Sequence, residues 1–575
     1  MVDILVKGAV LLGSASILFV LARRRVQLSL AKHRSLAGHS RMAKRVARLI
    51  PGYSYDEAEF FAADGAPGEV ATLRREAFRR LCDQLAERHP RSIAESRQAG
   101  ERISDLRFTR AYRVPFPFSQ YLREHLRLGG FVQSSGGVGV TDLDGREFLD
   151  LTGSYGVNVF GYDFYKECMA EAQKRAERLG PVLGQLHPSV TWSAERLCRI
   201  SGQDEVSFHM SGTEAVMQAV RLARYHTRRK YIVRFCGSYH GWWDDVQPGP
   251  GNPMPPGKTY TLKEMDAATL RVLRSRNDIA CVLVNPVQAL HPNLPAPADS
   301  TLVASGRSAR FDRAAYTAWL KSLREVCTAR GIVLILDEVF TGFRLAPGGA
   351  QEYFGVRADL VTYGKTLGGG FPIGALCGRR DLMKRFREDR PLDLCFARGT
   401  FNSHPYVMAG MQVFLERLET PRIQEGYRNL EERWNERART LNSLLSDAGL
   451  PVRAENLSTV WTILYTRPSR YNWMLQFYLR AEGLALSWVG TGRLIFSLNF
   501  TEAEFRDVAA RFVRAATAME RDGWWWKHPD LTDRSIRRGL LREAFVRRFQ
   551  AARRRQEPGR QARVGSNDAQ CPFLT

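Results

Sequence analysis

Lys365 is the residue of this sequence with the clearest capacity for covalent chemistry. It stands in the stretch GKTLGGG (364–370), and glycines let the backbone turn sharply and approach a ligand closely. A lysine in a desolvated site beside other cations has a lowered amine pKa and becomes a nucleophile. The ordinary alternative is a solvated loop lysine. A P-loop is excluded, because the spacing GxxxxGK[ST] is not met.

A carboxylate follows one of the most apolar runs of the chain. Asp337 comes directly after IVLIL (332–336), and a buried carboxylate is costly unless it is paired. One partner would be the protonated nitrogen of a ring cofactor, which the carboxylate would keep cationic and electron-withdrawing. Two ordinary alternatives are a cap on the next element and an ion pair with a guanidinium such as that of Arg344. The sequence leaves these uses open.

Two further stretches lie where strands end. Ser211, Gly212 and Thr213 stand between an apolar run and a helical pattern, where backbone N–H groups and hydroxyls could bind a phosphate. Capping the helix is the commoner use of such residues. Tyr239 follows the run 231–235 and could stack on a flat cofactor, although a core or surface tyrosine is the default.

The elements that must position these residues alternate between short apolar runs and helical stretches. The runs are VSFHM (206–210), YIVRF (231–235), ACVLV (280–284), IVLIL (332–336), LVTYG (360–364) and IGALC (373–377). Helices are predicted at 213–227, 313–329 and 380–388, and a hairpin is predicted around Asp144-Gly145. This order indicates an α/β fold with a mostly parallel sheet. Ligands of such sheets bind at the carboxyl ends of the strands.

Five stretches taken together resemble the class III aminotransferases of pyridoxal-phosphate (PLP) fold type I. They are MSGTEAVMQAVRLAR (210–224), GSYHG (237–241), LDEVFTGFRLAPGGAQEYFGV (336–356), YGKTLGGGFPIGALCGRRDLM (363–383) and ARGTFNSHP (397–405). The similarity is greatest to glutamate-1-semialdehyde aminomutase and to aminotransferase domains of polyketide and peptide assembly lines. The resemblance covers about residues 110–525. It implies a large domain with a mostly parallel sheet and a smaller α+β C-terminal domain.

The resemblance also implies roles for matching residues. Lys365 is expected to hold PLP as a Schiff base, and Asp337 to bind its pyridine nitrogen. Val339 and Tyr239 are expected to pack on the two faces of the ring. The turn 211–213 is expected to bind the phosphate. Thr400 is expected to reach the phosphate of a neighbouring subunit, which makes the active unit a homodimer.

The sequence departs from the family pattern near the substrate. Such families usually have Glu-Pro-Val where this chain has Asn285-Pro-Val-Gln288, so Asn285 and Gln288 are candidate substrate residues. The aminomutase stretch Ser-Pro-Val-Arg is not evident in RAYRVPFP (110–117). An insertion at about 288–310 is expected to shape a substrate entrance. Arg493 is a candidate ligand for a substrate carboxylate.

Charge and hydropathy point to a membrane. The formal net charge is +24, and the segment 23–48 contains many Arg and Lys residues and no acid. An apolar span at 4–22, interrupted by Lys7, precedes Arg23, Arg24 and Arg25. These features predict an N-terminal anchor, as a transmembrane helix or a helix that dips into the membrane, with the catalytic domain in the cytoplasm. The alternative is a short amphipathic N-terminal helix. The tail adds an aromatic stretch, WWWKHPD (524–530), and a second basic block at 534–563, both typical of a bilayer interface.

The predicted organisation has four parts. They are an anchor at 1–22, a basic linker and helical extension at 23–109, the catalytic domain at 110–525 with its large part at about 160–400, and a basic tail at 526–575. The last stretch, from about Gly559, is predicted to be disordered. Nine cysteines without CxxC spacing argue against disulfides and a zinc site, and no other metal site is expected.

Three functions compete at this point. The first is transfer of an amino group from a small-molecule donor to a ketone or aldehyde, with a hydrophobic or membrane-borne acceptor suggested by the two termini. The second is a 1,2-aminomutase of the glutamate-1-semialdehyde type. The third is a non-catalytic membrane scaffold on a PLP fold. Nucleic acid is not an expected partner, because no recognition helix or stacking motif is evident.

Overall fold

The computed structural model describes residues 2–255, 257–294, 305, 309, 311–487 and 492–556, with side chains described between residues 14 and 550. Most of the expected insertion at 288–310 lies outside these residues, and so does the tail from about Gly559 that was expected to be disordered. Each of the eight cysteines in the described part of the chain is a free thiol.

The described residues form twenty α-helices and sixteen strands. The helices are α1 Val2–Ala31, α2 Ser40–Leu49, α3 Glu57–Ala62, α4 Gly68–Arg88, α5 Pro90–Arg102, α6 Ser104–Ala111, α7 Phe116–His125, α8 Tyr162–Ala176, α9 Ser189–Ser201, α10 Gly212–Thr227, α11 Ala267–Ser275, α12 Arg313–Arg330, α13 Gly349–Phe354, α14 Arg380–Met383, α15 Pro405–Leu418, α16 Pro421–Tyr427, α17 Leu430–Asp447, α18 Leu475–Ala481, α19 Glu502–Arg521 and α20 Asp533–Gln556. The strands are β1 Val132–Gly136, β2 Gly139–Asp142, β3 Glu147–Asp150, β4 Glu205–His209, β5 Tyr231–Phe235, β6 Thr259–Leu262, β7 Ile279–Val284, β8 Val333–Asp337, β9 Leu360–Gly364, β10 Gly374–Gly378, β11 Phe386–Arg387, β12 Arg390–Leu394, β13 Val452–Leu457, β14 Val460–Tyr465, β15 Leu484–Ala485 and β16 Arg493–Ile495.

The central sheet contains seven of these strands, in the order β4-β10-β9-β8-β7-β5-β6. Strands β5 to β9 run parallel to one another, and β10 runs antiparallel to β4 and β9. Every residue of β7, β8, β9 and β10 is buried, as expected for a parallel sheet that is covered on both faces. The predicted α/β fold is confirmed.

All six predicted apolar runs form strands of this sheet, each within one residue of its expected bounds. The helix predicted at 380–388 is wrong, because α14 ends at Met383 and the hairpin β11–β12 follows. One cause is the side chain of Arg385, whose guanidinium donates to Ser207 Oγ at 2.5 Å and to the Ala397 carbonyl at 2.8 Å. These long-range bonds hold the chain against β4. The strand β6 has only four residues and was not predicted.

Two smaller sheets flank the central one. One has the order β1-β2-β3-β15 and contains the predicted hairpin at residues 139–150. The other has the order β13-β14-β16 and contacts α17. Because β15 pairs with β3 across more than 300 residues of chain, segments from both ends of the sequence build this side of the molecule.

The N-terminal extension packs on the catalytic body through aromatic side chains. Phe60 lies 5.6 Å from Phe118 and 6.2 Å from Trp473 between ring centroids. Arg74 is fully buried, forms an ion pair with Asp64 at 2.7 Å and donates to the Gly523 carbonyl at 2.8 Å. A buried guanidinium with these bonds is satisfied, so the extension joins the same core as the body.

The bilayer-interface interpretation of WWWKHPD is wrong for its first two residues. Trp524 and Trp525 are 0% and 1% exposed. Their Nε1 atoms donate to Tyr478 Oη at 2.7 Å and to Asn472 Oδ1 at 2.8 Å. A tryptophan whose N–H has a partner inside the protein gains more from burial in the core than from exposure. The sequence could not reveal these partners, which lie about 50 residues away.

The helix α1 contains the predicted anchor, and its side chains are described only from residue 14 onward. Ile17, Leu18 and Phe19 are exposed. Its last residue, Ala31, is buried and accepts a hydrogen bond from the Lys263 amide at 2.8 Å. Among the described residues, no helix combines the length and the apolar character that crossing a membrane requires.

Candidate active site

Asp337 lies at the carboxyl end of β8 and is 3% exposed. Its Oδ2 is 2.8 Å from Nδ1 of His240, which is also buried. Its Oδ1 accepts from the Val339 amide at 3.2 Å and from Thr362 Oγ1 at 3.3 Å. Burial lowers the pKa of His240, although the bond to Asp337 opposes this shift. The pair is therefore best described as a neutral imidazole that donates to a carboxylate.

Arg344 is not the partner of Asp337. The Arg344 side chain is fully buried, and it donates to four acceptors in other segments. These are Thr459 Oγ1 and the carbonyls of Phe496, Gly156 and Asn158. Its hydrogen bonds tie the site to the β14–β16 sheet. One of the alternatives that the sequence left open for Asp337 is thus removed.

Lys365 begins a 3₁₀ turn, Lys365–Gly368, directly after β9. Its φ of 49° is in the left-handed region, which costs energy for a residue with a side chain. Burial lowers the pKa of the Lys365 amine, and the charge of Arg344 adds to this shift, while Asp337 opposes it. Nζ lies 5.7 Å from the centre of the Phe340 ring. The lysine is therefore a partly desolvated amine beside an aromatic face.

The turn Ser211–Thr213 forms a narrow cradle at the start of α10. Ser211 Oγ accepts from the Glu214 amide at 3.2 Å, so the hydroxyl caps the helix as well. A side chain at Gly212 would stand 2.5 Å from Val339 Cγ1, and one at Gly374 would overlap the Ser211 carbonyl oxygen. Only glycine fits at both positions. The start of α10 is where backbone N–H groups lack partners within the helix and can bind an anion.

Tyr239 and its neighbours form one wall of the site. Tyr239 is 59% exposed, so its ring has a free face. Asn285 Nδ2 donates to the Tyr239 carbonyl at 2.9 Å, and Gln288 Nε2 donates to the Gly237 carbonyl at 3.0 Å. These two side chains thus position the loop that carries Tyr239. Gln288 Oε1 is buried and has no hydrogen-bond partner among the described residues.

Two candidates lie further out. Arg493 Nη2 is 3.3 Å from Nε2 of His291, which follows the turn Pro286–Leu290, so Arg493 stands on the same side as Gln288. Thr400 is exposed in a loop before α15, and no described contact joins it to the other candidates within this chain.

Sequence reasoning missed His240, Thr362 and Phe340. His240 lies within the stretch GSYHG that was singled out for Tyr239, so the motif contained it without showing its partner. Its Nε2 is buried and has no hydrogen-bond partner in the described part of the chain. Thr362 and Phe340 gave no signal in the sequence, because only the pairing of β8 with β9 brings Thr362 to Asp337.

Comparison with known proteins places this site in a family. A family model described as aminotransferase class-III matches residues 121–246 and 308–515. The chain belongs to the class III aminotransferases. It is 34% identical over 357 residues to glutamate-1-semialdehyde 2,1-aminomutase of Alkaliphilus oremlandii, covering 58% of this chain and 78% of that protein. The aminomutase of Methanocaldococcus jannaschii is 32% identical over 371 residues, covering 62% and 78%.

Solved structures agree with this assignment. A transaminase with PLP bound is 28% identical, with a TM-score of 0.56, and covers 68% of this chain and 92% of its own. An omega-transaminase from Sphaerobacter thermophilus is 25% identical, with a TM-score of 0.59, and covers 74% and 98%. A glutamate-1-semialdehyde aminomutase from Pseudomonas aeruginosa PAO1 shares the fold at 19% identity and a TM-score of 0.61. The chain is a fold type I enzyme of the aminotransferase or aminomutase kind.

The cofactor of this class III enzyme is PLP, and the residues of the site fit it. A buried carboxylate whose described partners are a neutral imidazole, a hydroxyl and an amide suits a cationic ring nitrogen. The glycine cradle at α10 suits a phosphate. The amine of Lys365 suits a covalent bond to a carbonyl carbon, because partial desolvation favours its neutral, nucleophilic form. When bound, PLP supplies an electron sink for charge that develops on the substrate.

Uptake of PLP by the apoenzyme is expected to become faster as the pH rises, with a midpoint below 10.5, the ordinary pKa of lysine. The ammonium form of Lys365 cannot attack a carbonyl, so below the midpoint the rate should rise about tenfold per pH unit. Stopped-flow absorbance of the bound cofactor measures this rate. A midpoint at 10.5 or above, or a flat profile, would contradict the role of burial at Lys365.

Proposed function

We propose that the chain transfers an amino group from a small amino donor to a ketone or aldehyde with an apolar body. The observation that carries this proposal is the aromatic surface beside Lys365, whose Nζ lies 5.7 Å from the centre of the Phe340 ring. An apolar acceptor can pack there without leaving a charge unpaired. The family's usual glutamate is replaced by Asn285, which is engaged with the Tyr239 carbonyl.

The roles proposed for the residues follow from their positions at the carboxyl ends of the strands of the central sheet. Lys365 holds the cofactor and moves the proton of the substrate as general base and then general acid. Asp337 stabilises the positive ring nitrogen, and His240 holds its carboxylate in place. Tyr239 and Val339 pack on the two faces of the ring.

The remaining candidates bind at the edges of the site. The turn Ser211–Thr213 binds the phosphate through N–H groups and hydroxyls. Asn285 and Gln288 position the wall on which the substrate lies. Arg493 stands beside them and supplies a cation for a donor carboxylate.

A 1,2-aminomutase is the second candidate, and the two curated relatives named above favour it. A 2,1-aminomutase moves nitrogen between neighbouring carbons of one molecule. The stretch RAYRVPFP (110–117) lacks the Ser-Pro-Val-Arg pattern of that enzyme. This difference favours transfer between two molecules.

Purified holoenzyme given an ¹⁵N-labelled amino acid and an aldehyde of eight carbons is expected to place the label on the aldehyde skeleton. A panel of donors, followed by the change in cofactor absorbance, identifies the donor first. Mass spectrometry of the amine product then gives the destination of the nitrogen. Label that stays within a single substrate skeleton would support the aminomutase instead, and no label on the aldehyde with any donor would contradict transfer between two molecules.

We also propose that the active unit is a homodimer in which Thr400 reaches the partner's phosphate site. Its loop follows the hairpin β11–β12 and displays large apolar side chains. Leu392, Leu394, Phe396 and Phe401 are more than half exposed. An apolar patch of this kind is costly in water and favours burial against a second copy. The hydroxyl of Thr400 would then act outside its own chain.

The two ends of the chain are proposed to hold the enzyme on an anionic bilayer, with the catalytic domain on the cytoplasmic side. Helix α20 presents Leu541, Phe545 and Phe549 at intervals of four residues, all exposed, and Arg534, Arg537, Arg538, Arg542 and Arg548 are exposed as well. Its Glu543 faces inward and accepts from Arg470 and Tyr55. Basic and apolar groups on one exposed face suit an interface of anionic lipid. Helix α1 carries further exposed apolar side chains at Ile17, Leu18 and Phe19.

Deleting residues 1–22 is expected to release the protein from vesicles of pure phosphatidylcholine, while partial binding persists on vesicles that contain phosphatidylserine. The basic groups of α20 contribute about 1 kcal/mol each near an anionic surface. Co-sedimentation with vesicles measures both effects. Adding Phe545→Asp and Phe549→Asp should remove the remainder. Full binding of the deleted protein to phosphatidylcholine would contradict an N-terminal anchor.

A further inference from the structure

A large cavity lies between the N-terminal extension and the catalytic body, outside the residues assigned to PLP. Its volume is about 1010 Å³. Helices α5, α6 and α7 and the segment 126–131 form most of its walls, and Phe477 of α18 closes its floor. Such a volume accommodates a ligand of drug-like size or larger.

The lining combines two chemistries. The floor is apolar, since Leu122, Leu126 and Phe477 are buried there. The walls and mouth contain six arginines and two glutamates, without lysine, histidine or aspartate. The arginines are Arg97, Arg107, Arg110, Arg113, Arg123 and Arg127. An apolar floor beneath an excess of positive charge matches a ligand with an apolar chain and an anionic head.

Three of these arginines donate to backbone carbonyls. Arg107 donates to the Glu101 carbonyl at 3.0 Å, Arg123 donates to the Ser119 carbonyl at 3.1 Å, and Arg110 donates to the Ser96 carbonyl. These acceptors are backbone groups and leave the positive charge in place. Glu124, one of the two glutamates, accepts from Gln120 at 3.0 Å instead. Guanidiniums that bond only to carbonyls retain donors for an anion.

The walls are held in place by contacts that do not involve a ligand. Asp144 accepts from the amides of Arg91 and Ser92 and caps the start of α5. The neighbouring pair His89 and Asp142 has a 2.6 Å contact. On the other wall, the Gly130 amide donates to Ser96 Oγ at 3.0 Å. The cavity is therefore preformed, which limits the entropy lost on binding.

Arg480 adjoins the cavity on the side of the catalytic body. It lies one helical turn after Phe477 in α18. Burial and the positive charge of Arg113, a lining residue, lower the pKa of Arg480 to about 9, and the charge of Tyr155 opposes this shift.

We propose that this cavity binds an anionic amphiphile, with its apolar chain on the floor at Leu122, Leu126 and Phe477 and its anionic head at the arginine mouth. The proposal rests on the proposed function, because it names the class of acceptor: a carbonyl compound carried on an apolar chain with a phosphate or carboxylate group. The N-terminal extension thereby contributes one wall of a second binding site beside the catalytic domain.

Calorimetry on the holoenzyme tests binding without relying on turnover. Octyl phosphate and octanoate carry both features, whereas inorganic phosphate and octanol carry one each. At least one of the amphiphilic anions is expected to bind about tenfold or more tighter than either single-feature probe. The tighter of the two anions identifies the head group. Equal affinity for all four probes would overturn the proposal.

Paired variants locate the site. The double change Arg97→Gln and Arg107→Gln is expected to weaken binding of the tighter anion about tenfold, since two charge-assisted contacts are lost. The double change Arg91→Gln and Arg102→Gln is the control. It also removes two positive charges, but from positions of α5 outside the cavity lining, and should alter affinity by less than about twofold. Ala94→Trp fills the cavity and should also abolish chain binding. Equal losses in both double variants would indicate a general charge effect and overturn the site.

Failure of this site and failure of the proposed function remain distinguishable. Transfer of labelled nitrogen without a preference for amphiphilic anions would support the proposed function and contradict the binding site in the cavity. Binding of the anions in the expected variant pattern without nitrogen transfer would support the binding site and contradict the proposed reaction. A KM for octyl acceptors that rises in the Arg97 and Arg107 variant, with kcat less affected, connects the two.

Discussion

Replacing Lys365 by alanine is expected to lower kcat by about 10²- to 10⁴-fold, the range for loss of a positioned acid–base group. The amine is partly desolvated beside Phe340 and lies within the field of Asp337, and alanine leaves no amine at this position. The cofactor absorbance should also shift, because the covalent link is lost. Steady-state kinetics and a visible spectrum of the same preparation measure both effects.

A matched control separates chemistry from charge. Lys384 is a surface lysine paired with Glu388 at 2.9 Å, and Lys384→Ala should leave kcat within about twofold. Added ethylamine should restore part of the activity of the Lys365 variant, since a free amine can perform the proton transfer. Retention of activity within tenfold of the unmodified enzyme, without added amine, would contradict the role of Lys365.

Replacing Asp337 by asparagine is expected to lower kcat by about 10²- to 10³-fold, as for removal of one preorganised electrostatic contact. Asparagine has nearly the same shape and can still accept from the Val339 amide and from Thr362. What it lacks is the negative charge that stabilises a positive ring nitrogen. The measurement is kcat with the preferred donor, together with the amount of cofactor retained after dialysis.

Two further variants serve as controls for Asp337→Asn. Asp381→Asn alters an exposed carboxylate paired with Arg379 at 2.9 Å and should have no effect on kcat. His240→Phe removes the imidazole that holds Asp337, so we expect an intermediate loss, with the fold unchanged by circular dichroism. If Asp337→Asn were no slower than Asp381→Asn, the carboxylate would have no part in the reaction.

Much of the fold and the site follows from local features of the sequence. Apolar runs of five residues between helical patterns predicted the strands β4, β5, β7, β8, β9 and β10, because strand and helix periodicities are local. Strand-to-helix turns then marked Ser211, Tyr239, Asp337 and Lys365. The carboxyl ends of parallel strands meet at one edge of a sheet, so residues far apart in the chain could be expected together.

Other features depend on contacts that no local pattern encodes. The helix predicted at 380–388 gives way to a hairpin because Arg385 bonds to Ser207, which is 178 residues away. Trp524 and Trp525 are buried because Tyr478 and Asn472 satisfy their N–H groups. The extension at 23–109 had no chemical role in sequence terms, since its arginines and apolar residues meet only when α5, α6 and α7 fold against α18.

The sequence by itself determined that Lys365, Asp337, Tyr239 and the turn 211–213 lie at the ends of strands, because each is adjacent in the chain to the strand that positions it. Their link to PLP came from the resemblance of five stretches to class III aminotransferases. The tertiary structure alone decided that Asp337 pairs with His240 and not with Arg344. It also decided that a cationic cavity with an apolar floor lies between α5, α6, α7 and α18. Both depend on burial and on long-range pairing, which arise only when the sheets and helices pack together.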